Sequence, residues 1–145
     1  GLEFSKNKKI LTKVIKFVKK KDAENKILKL IKSNKIDLIC LAGFMRILSE
    51  DFLEKCNLKI LNIHPSLLPK YKGLNTHMRV LKNKEKFSGC TVHFVNKNLD
   101  AGKIILQRKV KVKKNDTIKS LEKKILKVEN KIYPLAIMKT VKSIF

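Results

Sequence analysis

The sequence predicts an α/β domain: a mostly parallel sheet flanked by helices, with a late antiparallel strand pair. Three observations carry this. Ile36–Ala42 and Leu58–Ile63 are nearly continuous apolar runs, the pattern of strands buried on both faces. Amphipathic and capped segments alternate with them, as helices do in α/β domains. Cys90–Val95 and Lys103–Val112 then alternate only in part and are joined by the polar turn Asn96–Gly102, as paired strands are.

Taken in order, Gly1–Lys9 reads as a helix. Asp22–Ser33 follows as an amphipathic helix with Ile27, Leu28, Leu30 and Ile31 on its apolar side and Asp22 as its cap. The first strand ends at Gly43. Ser49-Glu50-Asp51 opens a short helix whose acids lie in the first turn, where the helix dipole favours them. His64-Pro65 terminates the second strand. Pro65, Pro69 and Gly73 make the next stretch a loop, and Thr76 is expected to cap a helix reaching about Asn83. Asp100 and Gly102 supply the turn chemistry between the late strands. A last helix starts at Thr117, runs to Pro134 and resumes beyond it. No repeat or linker divides the chain, so its 145 residues are read as one domain.

Composition excludes several classes. No apolar run approaches the roughly 20 residues of a membrane helix. Cys40, Cys56 and Cys90 form no CxxC pair and read as buried, reduced thiols of a cytoplasmic protein. His64, His77 and His93 have no metal-ligand spacing, so no metal is expected. Lys plus Arg is 35 against 12 acids, a net charge of +23, yet the only arginines are Arg46, Arg79 and Arg108. Nucleic-acid surfaces favour Arg interleaved with aromatics. Here lysine fills the polar positions of nearly every element, so a general lysine preference accounts for the charge and no specific nucleic-acid partner is expected.

Ligands in open α/β sheets bind at loops beyond the C-terminal ends of strands. Three such loops carry unusual residues. Gly43-Phe44-Met45-Arg46-Ile47-Leu48 is partly apolar. Asn62 and His64 end a strand two residues apart and so share a face. Asp100 lies in the late turn. Singly, each has an ordinary structural reading: a turn cap, a hydrogen-bonded histidine, a turn former. Their spacing makes a candidate site without naming a reaction.

The motifs are more specific. Leu41-Ala42-Gly43-Phe44-Met45-Arg46-Ile47-Leu48, then Asn62-Ile63-His64-Pro65-Ser66-Leu67-Leu68-Pro69-Lys70-Tyr71, closely resemble the folate-dependent formyltransferases that act on glycinamide ribonucleotide. Gly73-Leu74-Asn75-Thr76-His77, Thr91-Val92-His93-Phe94-Val95, Leu99-Asp100-Ala101-Gly102, Ile104-Ile105-Leu106-Gln107 and Glu129-Asn130-Lys131-Ile132-Tyr133-Pro134 continue the match over nearly the whole chain. Asn75 departs from it, standing where the family commonly has His. The resemblance also implies that the family's opening strand and its Gly-rich, Ser-Asn-containing phosphate loop are not among these residues and that the end at Phe145 is early. On that reading the 145 residues alone are inactive.

The resemblance implies a Rossmann-like formyltransferase fold and transfer of a formyl group from 10-formyltetrahydrofolate, as co-substrate, to the amine of glycinamide ribonucleotide in purine synthesis. It assigns Asn62 to the oxyanion, His64 to protonation of the departing nitrogen, and Asp100 to favouring the imidazolium. Leu41, Met45, Ile47, Leu48 and Val95 would wall the pterin, with Asn62 beside it. Arg46 would meet the glutamate tail, and Glu129 the ribose hydroxyls. Two other readings remain: a formyltetrahydrofolate deformylase with water as acceptor, and a basic nucleic-acid-binding module on the same fold.

Overall fold

The two early apolar runs become neighbouring parallel strands, and the fold is built on them. In the computed structural model, which describes residues 2–143, β1 (Leu38–Leu41) pairs in parallel with β2 (Lys59–His64). β3 (Phe87–Phe94) runs antiparallel to β2, and β4 (Ile104–Lys111) antiparallel to β3, in the order β1-β2-β3-β4. The antiparallel part therefore takes in β2 as well as the late pair. Helices α1 (Leu2–Asn7), α2 (Lys20–Ser33), α3 (Glu50–Cys56), α4 (Thr76–Lys82) and α5 (Ile118–Val141) surround the sheet.

Alternation along β2 sends successive side chains into two cores. Ile60 joins Leu48, Phe52 and Cys56, with Ile27, Leu28 and Ile31 of α2 packed over them. Leu61 faces the other way, into Val80, Cys90, Val92, Leu121, Ile125, Ile132 and Ala136. Thus α2 and α3 cover one face, and α4 and α5 the other. Full burial of each large apolar side chain is worth about 1.5–3 kcal/mol, so packing more than propensity holds these helices. The Tyr133 hydroxyl lies 2.7 Å from the Leu41 carbonyl and 3.3 Å from the Leu61 carbonyl, joining α5 to both parallel strands. No described helix is long and apolar enough to cross a membrane.

Several local expectations are corrected. α2 begins at Lys20, with Lys19 as an N-cap that makes no side-chain bond; Asp22 sits inside the first turn, where its charge still suits the dipole. Thr76 is buried within α4, and the cap position belongs to Asn75 in the left-handed region. Pro134 does not interrupt α5. It lies on the exposed side with Asn130, whose carbonyl loses a helical donor, while Ile132 and Ala136 anchor both flanks in the core. Strand β1 is shorter than the apolar run and is not buried on both faces. Ile36 donates its N–H to Ile31 to finish α2, and Cys40 is exposed on β1, which pairs with β2 alone among the described strands. Cys56 and Cys90 are buried as expected, and Ser49 and Thr117 cap α3 and α5. The helical reading of the first residues holds for Leu2–Asn7, while Gly1 lies outside the described residues.

Candidate functional site

Asn62 and His64 project from the C-terminal end of β2, two residues apart. Antiparallel register sets His93 of β3 opposite Asn62. The turn after β3 brings Asp100 over both: its Oδ2 is 3.3 Å from His64 Nδ1, and its Oδ1 is 3.6 Å from His93 Nε2. The His64 and Asp100 side chains are each 8% exposed, so this is a buried carboxylate between two imidazoles.

The two histidine rings have different partners. His64 Nε2 lies 2.9 Å from the Tyr71 carbonyl, an acceptor, and so it donates. Its Nδ1 faces a carboxylate, which as an anion also only accepts. Both ring nitrogens of His64 therefore face acceptors. His93 is different. Its Nδ1 donates to the Phe94 carbonyl at 2.8 Å, leaving Nε2 to accept from the Asn62 amide at 3.3 Å. Burial lowers the His93 pKa, outweighing the pull of Asp100 and keeping this ring neutral. A neutral His93 therefore orients Asn62 with one amide N–H engaged and the other free.

The supports are equally specific. Asp100 adopts φ of +45°, a conformation Asp tolerates better than most residues, and its Oδ2 accepts the Gly73 N–H at 2.8 Å. Gly102 is required behind it, because a Cβ there would fall 1.7 Å from the Phe94 carbonyl oxygen. The Pro65–Tyr71 loop, which carries the His64 acceptor, is held by buried polar groups. Thr91 Oγ1 donates to Ser66 and accepts from Leu68 N–H and Gln107 Nε2, while Ser66 Oγ donates to Lys70. A cavity of about 620 Å³ lies beyond this loop, against Val80, Phe87 and Lys109, and holds none of the Asn62–His64–Asp100 group. Hydrogen-bond chemistry, not concavity, singles out the site.

The remaining expected residues divide. Leu48 is buried in the core with Phe52, Cys56 and Ile60, and Leu41 and Val95 pack against that core. Met45 and Ile47 remain 77% and 58% exposed. Arg46 lies over the Phe17 ring. Glu129 is half-buried on α5, where burial raises its carboxyl pKa, and no hydrogen bond joins it to the group around His64. Among the described residues, no cluster of His, Cys, Asp or Glu could hold a metal ion. His93 is the site member that sequence reasoning gave no role. Its place in the Thr91–Val95 motif was visible, but its partner was not, because that requires knowing that β3 pairs with β2.

One pH effect follows from burial. His93 and His77 both have pKa values lowered below the ordinary value, chiefly by desolvation. The unfolded chain, with histidines near ~6.5, then binds protons that the folded chain resists. That stability is present above about pH 6.5 and is lost as pH falls towards the folded values. Thermal melts are expected to show Tm falling between pH 7 and pH 5. A flat or rising Tm over that window would remove these histidines from the account.

Comparison with known proteins gives a consistent picture. The family model described as formyl transferase matches residues 1–137. The chain is 54% identical over 102 residues to the human trifunctional purine biosynthetic protein adenosine-3, covering 70% of this chain and 10% of that protein. It is 49% identical over 107 residues to the phosphoribosylglycinamide formyltransferase of Haemophilus influenzae, covering 74% of this chain and 50% of the relative. The chain thus spans about half the length of the bacterial relative and a tenth of the human one. A crystal structure of phosphoribosylglycinamide formyltransferase from Brucella melitensis superposes with a TM-score of 0.88 at 44% identity, over 96% of this chain and 73% of that one.

Proposed function

The chain belongs to the formyl transferase family, and from that premise we propose that it transfers the formyl group of 10-formyltetrahydrofolate to the primary amine of glycinamide ribonucleotide. The observation that carries this reading is the convergence of Asn62, His64 and Asp100 from two separate segments onto one buried polar group, with Asp100 against His64 and the Asn62 amide against His93. The two cores share β2, which supports treating the chain as one domain.

When bound, 10-formyltetrahydrofolate supplies a formyl carbon open to attack by an amine. Met45 and Ile47 are exposed and Leu41 and Val95 half-buried, and in this reading the four form the apolar bed for a flat ring. Leu48 supports that bed from within the core. Asn62 points its free amide N–H at the formyl oxygen and stabilises the charge that develops there. His64, held as an imidazolium between two acceptors, supplies the proton that the departing folate nitrogen needs. Its 3.3 Å separation from Asp100 is long for a charge-assisted bond, typically about 2.7–2.9 Å, so Nδ1 is the less tightly engaged of the two ring nitrogens. Asp100 balances the imidazolium charge. Glu129, which has no hydrogen-bond partner among the described residues, faces the ribose hydroxyls in this reading. The partners are small molecules and the location is the cytoplasm.

The test is a product analysis of the full-length protein supplied with both substrates. One formylated nucleotide should form for each tetrahydrofolate released, with no turnover when the nucleotide is omitted. Free formate, produced at the same rate without nucleotide, would instead identify a deformylase.

A further inference from the structure

The stretch between α1 and α2 has no helix or strand, and most of its apolar side chains stand open: Leu11 is 82% exposed, Val14 65% and Val18 85%. Phe17, like Ile15, is an exception. It is half-buried, and its ring meets Phe44 edge-on at 5.8 Å between centroids, with an interplanar angle of 69°. Phe44 in turn packs on the core formed by Leu48, Phe52, Cys56 and Ile60. The edge of Phe17 is therefore anchored, and its face is presented at a fixed angle. On that face lies Arg46, its Cζ 5.2 Å from the ring centroid. Among the described residues, no ion pair or side-chain hydrogen bond engages the Arg46 guanidinium, which stands exposed at the loop proposed to take the folate.

We propose that Phe17 is a positioning residue, an aromatic platform that holds Arg46 ready for a carboxylate of the folate glutamate tail. The inference rests on the functional reading above and adds to it a residue outside the matched loop motifs. A guanidinium stacked on a ring keeps its edge N–H groups free, in the planar fork that matches a carboxylate. A long side chain already held by a ring also has less rotamer freedom to lose when the tail arrives. Without the ring, Arg46 would sample solvent and bind the tail more weakly. The pterin bed and the proton chemistry at His64 would be untouched, so the effect should fall on KM for the tailed co-substrate.

The experiment uses the full-length protein with two co-substrates: 10-formyltetrahydrofolate, and its analogue ending at the aminobenzoyl group without glutamate. Phe17→Leu is expected to raise KM for the tailed form by about three- to tenfold, the range of a cation–π contact at a partly exposed site. It should change kcat by less than about twofold and leave KM for the tail-less form alone. Phe17→Tyr, which keeps the aromatic face, should restore the parent KM. Arg46→Ala should reproduce or exceed the Phe17→Leu effect. If Arg46→Ala discriminates between the co-substrates and Phe17→Leu does not, the platform is overturned while the role of Arg46 stands. Equal rises in KM for both co-substrates would mark general loosening of the loop and also overturn it. If Arg46→Ala fails to discriminate, the tail contact is wrong and the platform falls with it. Failure of the parent protein to transfer formyl groups from either form would reject the functional reading itself.

Discussion

Replacing His64 by alanine is expected to lower kcat by about 10²–10⁴-fold, the range for removing a general acid. No neighbour can take over its proton. His93 is kept neutral by burial, with its one N–H committed to the Phe94 carbonyl. His77 also has a lowered pKa, through desolvation. Lys70 lies near in sequence, but its amine points away, to Glu85 at 3.1 Å. The fold should survive, because the Pro65–Tyr71 loop keeps its Thr91, Ser66 and Gln107 bonds. Some stability will be lost, since the Tyr71 carbonyl and the Asp100 carboxyl each forfeit the ring nitrogen they face. Steady-state kinetics at saturation in both substrates, paired with a thermal melt, separates the two effects. Turnover within tenfold of the parent would take His64 out of the chemistry.

Much of this site was legible because it depends on local rules. Strand alternation put Asn62 and His64 on one face, and turn chemistry marked Asp100 and Gly102. What the sequence could not show was pairing. His93 enters the site through the β2–β3 register, and Phe17 through a contact with a loop far along the chain. Both are tertiary facts with no periodic trace. The errors in the fold have the same origin. Ile36–Ala42 reads as a doubly buried strand, but burial depends on what covers it, and the described part of β1 has a neighbour on one edge only. Pro134 reads as a break, yet helix α5 passes through it because Ile132 and Ala136 are buried on either side. Local propensity was outweighed by packing at both places.

Asp100→Asn is the sharpest test of the proton assignment, because it changes charge and hydrogen-bond polarity while nearly preserving shape. Asn tolerates the left-handed backbone at φ +45° as Asp does, and its carbonyl oxygen can still accept the Gly73 N–H that Asp100 accepts at 2.8 Å. The turn should therefore hold. The same oxygen position faces His64 Nδ1, so that nitrogen now meets an uncharged carbonyl, while the NH₂ group takes the place of Oδ1, which lies 3.6 Å from His93 Nε2. An amide oxygen carries no net charge to offset an imidazolium, so the ring loses the anion that favours its protonated form. The substitution thus favours the neutral ring, the form with no proton to give. We expect kcat to fall by about 10²–10⁴-fold with Tm close to the parent's. Asp100→Ala should lose activity similarly but melt lower, because the Gly73 N–H is left without its acceptor, a cost of about 1–3 kcal/mol when such a group is buried. The contrast between the two variants isolates the carboxylate's charge from its service to the turn. An Asp100→Asn enzyme with turnover within tenfold of the parent would show that His64 does not need an anionic partner, and the assignment of the imidazolium would have to be abandoned.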